Sequence, residues 1–505
     1  MKFSNSIYVA LIAVASATGG CAKFYDVNDD PANITEAPIA NLLPSITVNV
    51  GYIGGSDLFR YSNLIVQQFS GNTTNTSQTF KEYERYNINN SDVNNQWSAI
   101  YGTTLADIAQ MIPKAEAANS PYYAGVGRLL KAYMYQLTVD AWGDVPYSEA
   151  TQFGTNLYPK YDDDANIYPD LIKTIDTAIA NLNEPSSVFV PNQNTTIYAG
   201  AWATMKNRWI RFGNTLKLRL YIHYSQKDPA YATSQITALV NSGAEFMTSN
   251  DDSFKMPFLA EASRQNPIAS IEGGQFRNAF FPNRFLVNLM NTNSDPRRAN
   301  YFVPFPYNSS PAAYKGASVE DASSVAYSRL SSYLKGDATY NNVVVNADGS
   351  ITDGSITWSG SAPTRLLTFA EYNFIRAEAA LTLGAPGDAQ AFFEAGIRAS
   401  MTDAGVAAAA IDEYLSRMGT LTGTQEQMLE QIINEKFVAN FGVVMENWTD
   451  WRRTGYPAIT RVPSSIAAYD EIPRSLVYPL SESSSNPNTP ARTDMLSRVF
   501  WDTRQ

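Results

Sequence analysis

Cysteine and histidine are almost absent from this sequence, which has one of each among 505 residues, Cys21 and His223. No disulfide can form within the chain, and a metal site built from several thiolates is excluded. A histidine-dependent catalytic triad or a multi-histidine metal site would have to use His223. Because His223 lies within an apolar helical pattern among aromatic residues, we predict a structural role for it.

Positive charge is also scarce, since 37 Lys and Arg stand against 48 Asp and Glu, for a formal net charge of −11. An acidic surface argues against nucleic acid and anionic lipid as partners. Long apolar runs are lacking too. The run from Ile7 to Ala17 is too short to cross a bilayer, but it has the length of the apolar region of a signal peptide.

The N-terminal segment has the order of a lipoprotein signal. Lys2 precedes the apolar run, and the small residues Thr18-Gly19-Gly20 come directly before Cys21. Thr18 stands where a leucine or a similar residue is usual. We expect removal of residues 1–20 as a signal peptide and lipidation of Cys21, with ordinary secretory cleavage beside a chance cysteine as the alternative.

Aromatic residues, by contrast, are abundant: the chain has 30 Tyr, 24 Phe and 8 Trp. The chain after residue 20 is long enough to form a large hydrophobic core. Aromatic residues at 12% of the sequence exceed what such a core needs, so we expect some of the rings to face a ligand or a partner.

Apolar residues at helical spacing predict helices in all strongly patterned segments. One helix is expected to begin at Pro121, with Ser120 as its N-cap. Thr424 and Gln427 have the spacing of a capping box at the start of another helix. A long apolar stripe, typical of a buried core, comprises Trp202, Met205, Trp209, Phe212, Leu216 and Leu220.

The clearest structural unit consists of two helical patterns, 369–383 and 388–401, joined by the sequence GAPG. In the second pattern, Ala389, Phe393 and Gly396 have the spacing of small and aromatic residues in tetratricopeptide-like helix pairs. The small residues allow two helices to approach closely, and the aromatic ring fills the gap between them. No strict sequence period recurs, so any repeats are degenerate.

The helical pattern fades between residues 291 and 363, where Gly, Ser, Asn and Pro dominate. The stretches 343–345 and 355–358 flank Asp-Gly turn sequences, which predicts a small β-hairpin. The segment's many tyrosines argue against disorder. A loop-rich segment of this length is typically functional.

Several motifs along the chain match one family in order. They are FYDVN at 24–28, DAWGDVPYSEA at 140–150, YPKY at 158–161, RFGNTLKLR at 211–219, AEA at 377–379, NWTDWRRTGYP at 447–457, IPR at 472–474 and YP at 478–479. With these motifs the sequence resembles the SusD/RagB family of nutrient-binding outer-membrane lipoproteins from Cys21 onward. A single motif has little specificity, but the ordered set is highly specific.

The resemblance implies an all-α dominated fold, in which tetratricopeptide-like helix pairs form a scaffold with a loop-rich ligand face. Residues 21–505 would form a single SusD-like domain with a loop-rich insertion at about 291–363. Such proteins lie at the outer membrane of Bacteroidetes-type bacteria, on the cell surface, where they cap a SusC-like TonB-dependent transporter. They capture a glycan or an oligopeptide for uptake, without a cofactor.

We place the ligand-binding surface between residues 301 and 358, because polar loops on a rigid scaffold are where binding usually occurs. Exposed rings there could stack on sugar faces, while Asn or Asp side chains fix hydroxyl groups. The candidates are Trp358 first, and then Tyr307, Tyr314 and Tyr327. For each ring, packing within the loop is the alternative.

Paired carboxylates leave a hydrolase open as a second class of function. Asp140 and Asp144 are four residues apart, as are Glu446 and Asp450. A glycoside hydrolase needs two carboxyl groups about 5–9.5 Å apart across the sugar, and sequence spacing does not establish that separation. Because no hydrolase motif accompanies either pair, we predict no catalytic residues.

Two further groups of residues have a functional and a structural interpretation. The acidic stretches 162–164 and 251–252 could bind calcium, but neither has EF-hand spacing, and helix-terminal or solvated charge is preferred. We therefore expect no metal site. Trp448 and Trp451, followed by the arginines 452–453, could clamp a saccharide or a carboxylate. We prefer a buried aromatic cluster with an ion-pair network.

Overall fold

The described part of the chain covers most of the sequence. The computed structural model describes residues 37–72, 79–192, 194–274, 276–321 and 324–504. Cys21, the signal peptide predicted over 1–20 and the family motif at 24–28 lie outside these described residues. No helix among the described residues is long and apolar enough to cross a bilayer.

The architecture is mostly helical, as the sequence predicts. The first helices are α1 Ile39–Ile53, α2 Asp57–Ile65, α3 Thr79–Glu84, α4 Asn94–Trp97, α5 Ala106–Ala117, α6 Pro121–Trp142, α7 Asp164–Asn183, α8 Trp202–His223 and α9 Pro229–Asn241. They are followed by α10 Pro267–Gly273, α11 Arg284–Thr292, α12 Arg298–Tyr301, α13 Ser332–Lys335, α14 Phe369–Leu383, α15 Ala389–Asp403, α16 Ala408–Met418, α17 Gln425–Ala439, α18 Glu446–Thr454 and α19 Leu480–Ser485. A π-helical segment, Ser98–Leu105, joins α4 to α5.

The strands among the described residues are short and pair in twos. They are β1 Phe69–Gly71, β2 Phe254–Met256, β3 Phe280–Pro282, β4 Phe302–Val303, β5 Arg329–Leu330, β6 Ala338–Tyr340, β7 Ile356–Trp358 and β8 Thr364–Leu367. The antiparallel pairs are β1 with β3, β2 with β8, β4 with β5, and β6 with β7. The described strands therefore form four separate two-stranded sheets rather than one common sheet.

The helices pack in pairs, which confirms the predicted tetratricopeptide-like scaffold. Helix α6 packs against α5 and α7, and α14 packs against α15 and α17. A Cβ atom at Gly396 would come within 2.9 Å of the Phe374 ring. Phe393 is buried and meets the same ring edge-on at 6.2 Å. The small residue and the aromatic residue thus have the roles that their spacing predicts.

The two predicted helix starts have different outcomes. The capping box is present, because the Thr424 hydroxyl accepts from the Gln427 amide, and the Gln427 side chain accepts from the Thr424 amide. Helix α6 begins at Pro121 with Ser120 at the N-cap position, as predicted, but the Ser120 side chain makes no capping hydrogen bond. The Ser120 hydroxyl instead accepts from the Phe189 amide at 3.1 Å, so it fastens a neighbouring loop.

The predicted hairpin is present with a different first strand. Residues 356–358 form β7, inside the predicted second strand, but β7 pairs with β6 at 338–340 rather than with 343–345. Val345 makes only an isolated bridge to Ile351 across the first Asp-Gly turn. The two Asp-Gly turns in this stretch allow different strand pairings. The pairing of β6 with β7 joins three pairs of residues, whereas Val345 and Ile351 form a single bridge.

A network of charged side chains is buried where α8, α14, α17 and α18 meet. Arg219 donates to both carboxylate oxygens of Glu371 at 2.7 Å and lies 3.4 Å from Glu446. Lys436 lies 3.0 Å from Glu446 and 2.8 Å from Asp450. Burial raises the pKa of Glu371. Burial would also raise the pKa of Glu446, but Lys436 and Arg219 outweigh it and lower that pKa.

Candidate ligand-binding site

A wide cleft of about 1300 Å³ opens between the N-terminal helices and the segment that follows β2. One wall comes from α1, the start of α2, and α4. Residues between 256 and 274, together with Phe276, provide the opposite wall, and Thr195, Thr196 and Ala199 line one further part. The side chains used below are those of Tyr52, Asp57, Arg60, Gln96, Phe258, Gln265 and Phe276.

Helix α1 presents a tyrosine to this cleft because its two faces differ. Ile46, Val50 and Ile53 are fully buried in the core. Val48 and Tyr52, four residues apart, lie on the other face, and Tyr52 is 51% exposed. An exposed ring held on a packed helix is a rigid surface on which an apolar ligand face can stack.

The floor of the cleft carries polar groups that are held in place. The Gln96 side-chain oxygen accepts from the Ser56 hydroxyl at 3.0 Å and from the Leu58 amide at 3.1 Å. Its Nε2 is buried and has no hydrogen-bond partner among the described residues. Beside it, Asp57 is paired with Arg60, and burial raises the pKa of Asp57. The Gln96 Nε2 is therefore a hydrogen-bond donor without an acceptor in this part of the cleft.

A second cavity of about 400 Å³, here called the annex, continues the cleft. The two spaces share Gln265, Ser270 and Gly274. Trp358, at the end of β7, lines the annex and is half-buried. The ammonium of Lys335 lies 4.8 Å from the centre of its ring. One face of Trp358 is thus covered by a cation.

The four predicted ligand-binding aromatics do not form one cluster. Only Trp358 lines the annex, and none of the four lines the cleft. Tyr314 packs on the core, with its ring 6.2 Å from that of Phe302, and the Tyr327 ring lies 5.2 Å from that of Phe281. Tyr307 is half-buried, and its amide donates to the carbonyl of Gly349. Their role in ligand binding stays a prediction.

The paired carboxylates are part of the scaffold. Glu446 and Asp450 lie in the buried network with Lys436. Asp140 is fully buried and accepts from Tyr168 and from the Trp501 ring nitrogen. Neither pair lines the cleft or the annex.

The other structural interpretations also hold. His223 is buried, with Nδ1 2.8 Å from the Tyr168 hydroxyl. Trp448 is buried and donates to the Pro473 carbonyl, and Arg452 covers its ring at 4.3 Å. These residues pack the core and cannot reach a ligand in the cleft.

The acidic stretches have local partners. Asp163 caps α7 by accepting from the Ala165 amide. Asp252 pairs with Arg211 at 3.2 Å. Carboxylate oxygens of Asp144, Asp163 and Asp164 come within 4.8 Å of one another. Burial raises the pKa of Asp164 to about 6. The charge of this group serves a helix terminus, which is the preferred interpretation from the sequence.

The sequence prediction missed Tyr52 and Gln96. The spacing of Val48 and Tyr52, opposite the apolar face of α1, is a signal that could have identified Tyr52. Gln96 has no comparable signal, because its free Nε2 depends on Ser56, a residue 40 positions away.

Comparison with known proteins gives the family. The model of the family SusD-like_2, described as "Starch-binding associating with outer membrane", matches residues 31–479. No curated protein matches the chain. A chitin-binding protein of known structure is 22% identical, with a TM-score of 0.75 over 92% of this chain and 100% of its own. A SusD-like protein from Bacteroides thetaiotaomicron is 22% identical, with a TM-score of 0.73 over 93% and 99%.

A chitin-binding SusD homolog from Flavobacterium johnsoniae is also 22% identical, with a TM-score of 0.72 over 92% of this chain and 99% of its own. These structural likenesses show the fold. The family match spans most of the chain and agrees with that fold. The chain therefore belongs to the SusD-like family of non-catalytic, glycan-binding proteins that associate with the outer membrane.

Proposed function

We propose that this protein captures a glycan in the cleft and delivers it to a SusC-like TonB-dependent transporter. The observation that carries the proposal is the cleft itself, which is open and larger than most small-molecule pockets of about 300–1,000 Å³. A volume of about 1300 Å³ accommodates several sugar rings. The exposed ring of Tyr52 offers a stacking surface at its rim.

The polar groups of the cleft suit sugar hydroxyls. A hydroxyl group both donates and accepts hydrogen bonds. The free Nε2 of Gln96 can donate to one, and the paired Asp57 and Arg60 can accept from and donate to others. Satisfying a buried amide that has no other partner adds to affinity, because an unpaired buried donor is costly.

A glycan is the ligand class that we favour over an oligopeptide. The family description names starch, and two of the similar structures are described as chitin-binding. We extend glycan recognition, but not a particular glycan, from those proteins to this chain.

We further propose how the protein is held in place. Residues 1–20 are removed as a signal peptide, and lipid on Cys21 anchors a single domain, 21–505, at the cell surface. The insertion at about 291–363 contributes Trp358 to the annex. Tyr307, Tyr314 and Tyr327 remain proposed contacts for the outer part of a long ligand.

Replacing Tyr52 with alanine is expected to weaken glycan binding about two- to tenfold, the range for loss of one aromatic contact. Affinity electrophoresis and calorimetric titration against starch, chitin oligosaccharides, other neutral and acidic polysaccharides, and peptides would measure it. Tyr158→Ala is the matched control, because Tyr158 is 54% exposed but does not line the cleft. Equal affinity for both variants would place the ligand elsewhere, and release of shortened glycan would contradict a binding role.

The transporter partner is tested separately by purification in mild detergent. We expect a large β-barrel transporter to copurify with the protein from the native membrane. A stable lid on a barrel needs an interface above about 1,000 Å². Repeated recovery of the protein alone, with the barrel present but unbound, would contradict delivery without affecting glycan capture.

A further inference from the structure

Arg329 is a buried cation with an unpaired side-chain nitrogen. Its side chain is 8% exposed, and its Nη1 is buried with no hydrogen-bond partner among the described residues. No carboxylate in the described part of the chain lies within ion-pair distance of it. Its guanidinium stacks 4.3 Å from the centre of the Phe281 ring, and burial lowers its pKa. An arginine stays protonated under these conditions. Asp353 and Glu272 attract this charge from beyond ion-pair distance, so no carboxylate is in direct contact with the guanidinium.

A small space of about 30 Å³ adjoins this guanidinium. It shares Lys335, Gly354 and Trp358 with the annex, so the two spaces are neighbours. A cavity needs about 10–15 Å³ to hold one water-sized group, so this one has room for about two. A small polar group such as a carboxylate fits this space.

The neighbouring charges are already matched. The ammonium of Lys335 lies 3.1 Å from Glu272. Asp353 lines the same small space, but it accepts from the Asn278 side chain and remains exposed. Of the two described cations that line the small space, Arg329 is the one with an unpaired nitrogen. It stands out in a chain whose net charge of −11 would otherwise repel anions.

We propose that the small space beside the annex binds the carboxylate of an acidic sugar residue through Arg329. A planar guanidinium matches a carboxylate in a two-point hydrogen bond. The sugar ring that bears the carboxylate would lie beside Trp358, and the rest of the chain would run into the cleft. The ligand is then a uronate-containing glycan. This inference rests on the proposed capture of a glycan in the cleft.

The test is affinity electrophoresis of the full chain in gels that contain one polysaccharide each. The set comprises neutral polymers (starch, soluble chitin and xylan), uronate polymers (polygalacturonate, alginate and hyaluronate) and sulfated polymers (carrageenan and dextran sulfate). We expect at least one uronate polymer to retard the protein. Reduction of its carboxylates to alcohols should weaken binding at least about tenfold, because a charge-assisted hydrogen bond is lost.

Variants localise the effect. Arg329→Gln should weaken binding of the same uronate polymer by about tenfold, and Arg329→Lys should restore only part of it because the fork is lost. Arg398→Gln is the matched control, since Arg398 is exposed, pairs with Asp412 and lines neither the annex nor the small space. Thermal unfolding checks that each variant is folded. The polymer with reduced carboxylates tests the need for a carboxylate on the unaltered protein, so this result does not depend on how a variant folds.

Three outcomes would overturn the inference. Tight binding of a neutral polymer that is unchanged by Arg329→Gln leaves the proposed function intact but refutes an acidic ligand. Binding of sulfated polymers without binding of any uronate polymer would show an anion site that does not recognise carboxylates. Failure to bind any glycan overturns the proposed function together with this inference.

Discussion

Replacing Arg219 with methionine is expected to lower the free energy of unfolding by about 3–5 kcal/mol, the cost of breaking a buried ion pair from one side. Arg219 is fully buried and holds both oxygens of Glu371 at 2.7 Å. It also lies 3.4 Å from Glu446. Methionine fills similar volume but leaves two buried carboxylates without this cation. Urea denaturation followed by tryptophan fluorescence would measure the change.

A surface ion pair provides the matched control for this variant. Arg398 and Asp412 lie 2.9 Å apart, but their side chains are 52% and 64% exposed. Arg398→Met should therefore lower the free energy of unfolding by less than about 1 kcal/mol. A similar loss of unfolding free energy in the two variants would show that the hydrogen bonds from Arg219 to Glu371 do not stabilise the packing of α8 on α14.

Replacing Cys21 with alanine is expected to move nearly all of the protein from the membrane fraction to the soluble fraction. The proposed lipid on Cys21 is the anchor in this account, so its loss is expected to release the protein. One acyl chain gives only marginal membrane binding, and several chains on one cysteine bind much more firmly, at about 0.8 kcal/mol per buried CH₂. Labelling with a clickable fatty acid and cell fractionation would measure both steps.

The neighbouring signal residue supplies the control for lipidation. Thr18→Leu restores the more usual residue before the cleavage site and should label at least as well as the natural sequence. Label retained by Cys21→Ala, or absent from the unaltered protein, would contradict lipidation at this residue. The alternative, ordinary secretory cleavage, predicts no label in any of the three proteins.

Local sequence signals predicted the scaffold well. The helix pair around Gly396 depends on contacts between residues about 20 apart, and small and aromatic residues at fixed spacing specify it. The capping box at Thr424 is more local still. The first strand of the hairpin was misplaced because two Asp-Gly turns lie within a few residues, and local preference does not decide between the two pairings.

The candidate site could be predicted only in part, because distant segments build it. Tyr52, Gln96 and Gln265 come from three parts of the chain that only the fold brings to one cleft. Trp358 was predicted from aromatic content in a loop-rich segment, and it does line the annex. The sequence around Arg329 does not indicate a binding role. Its guanidinium stacks on Phe281, 48 positions earlier in the chain, and the lack of a partner for its Nη1 depends on the surrounding fold.

Hydrogen–deuterium exchange of the unaltered protein, with and without the polysaccharide that binds it most tightly, tests the central claim most directly. The proposed capture of a glycan predicts protection of the segments 52–60, 95–99 and 256–274, which contain the residues that line the cleft, with recovery of the glycan at its original length. Protection confined to residues 301–330, protection nowhere, or recovery of shortened glycan would contradict it.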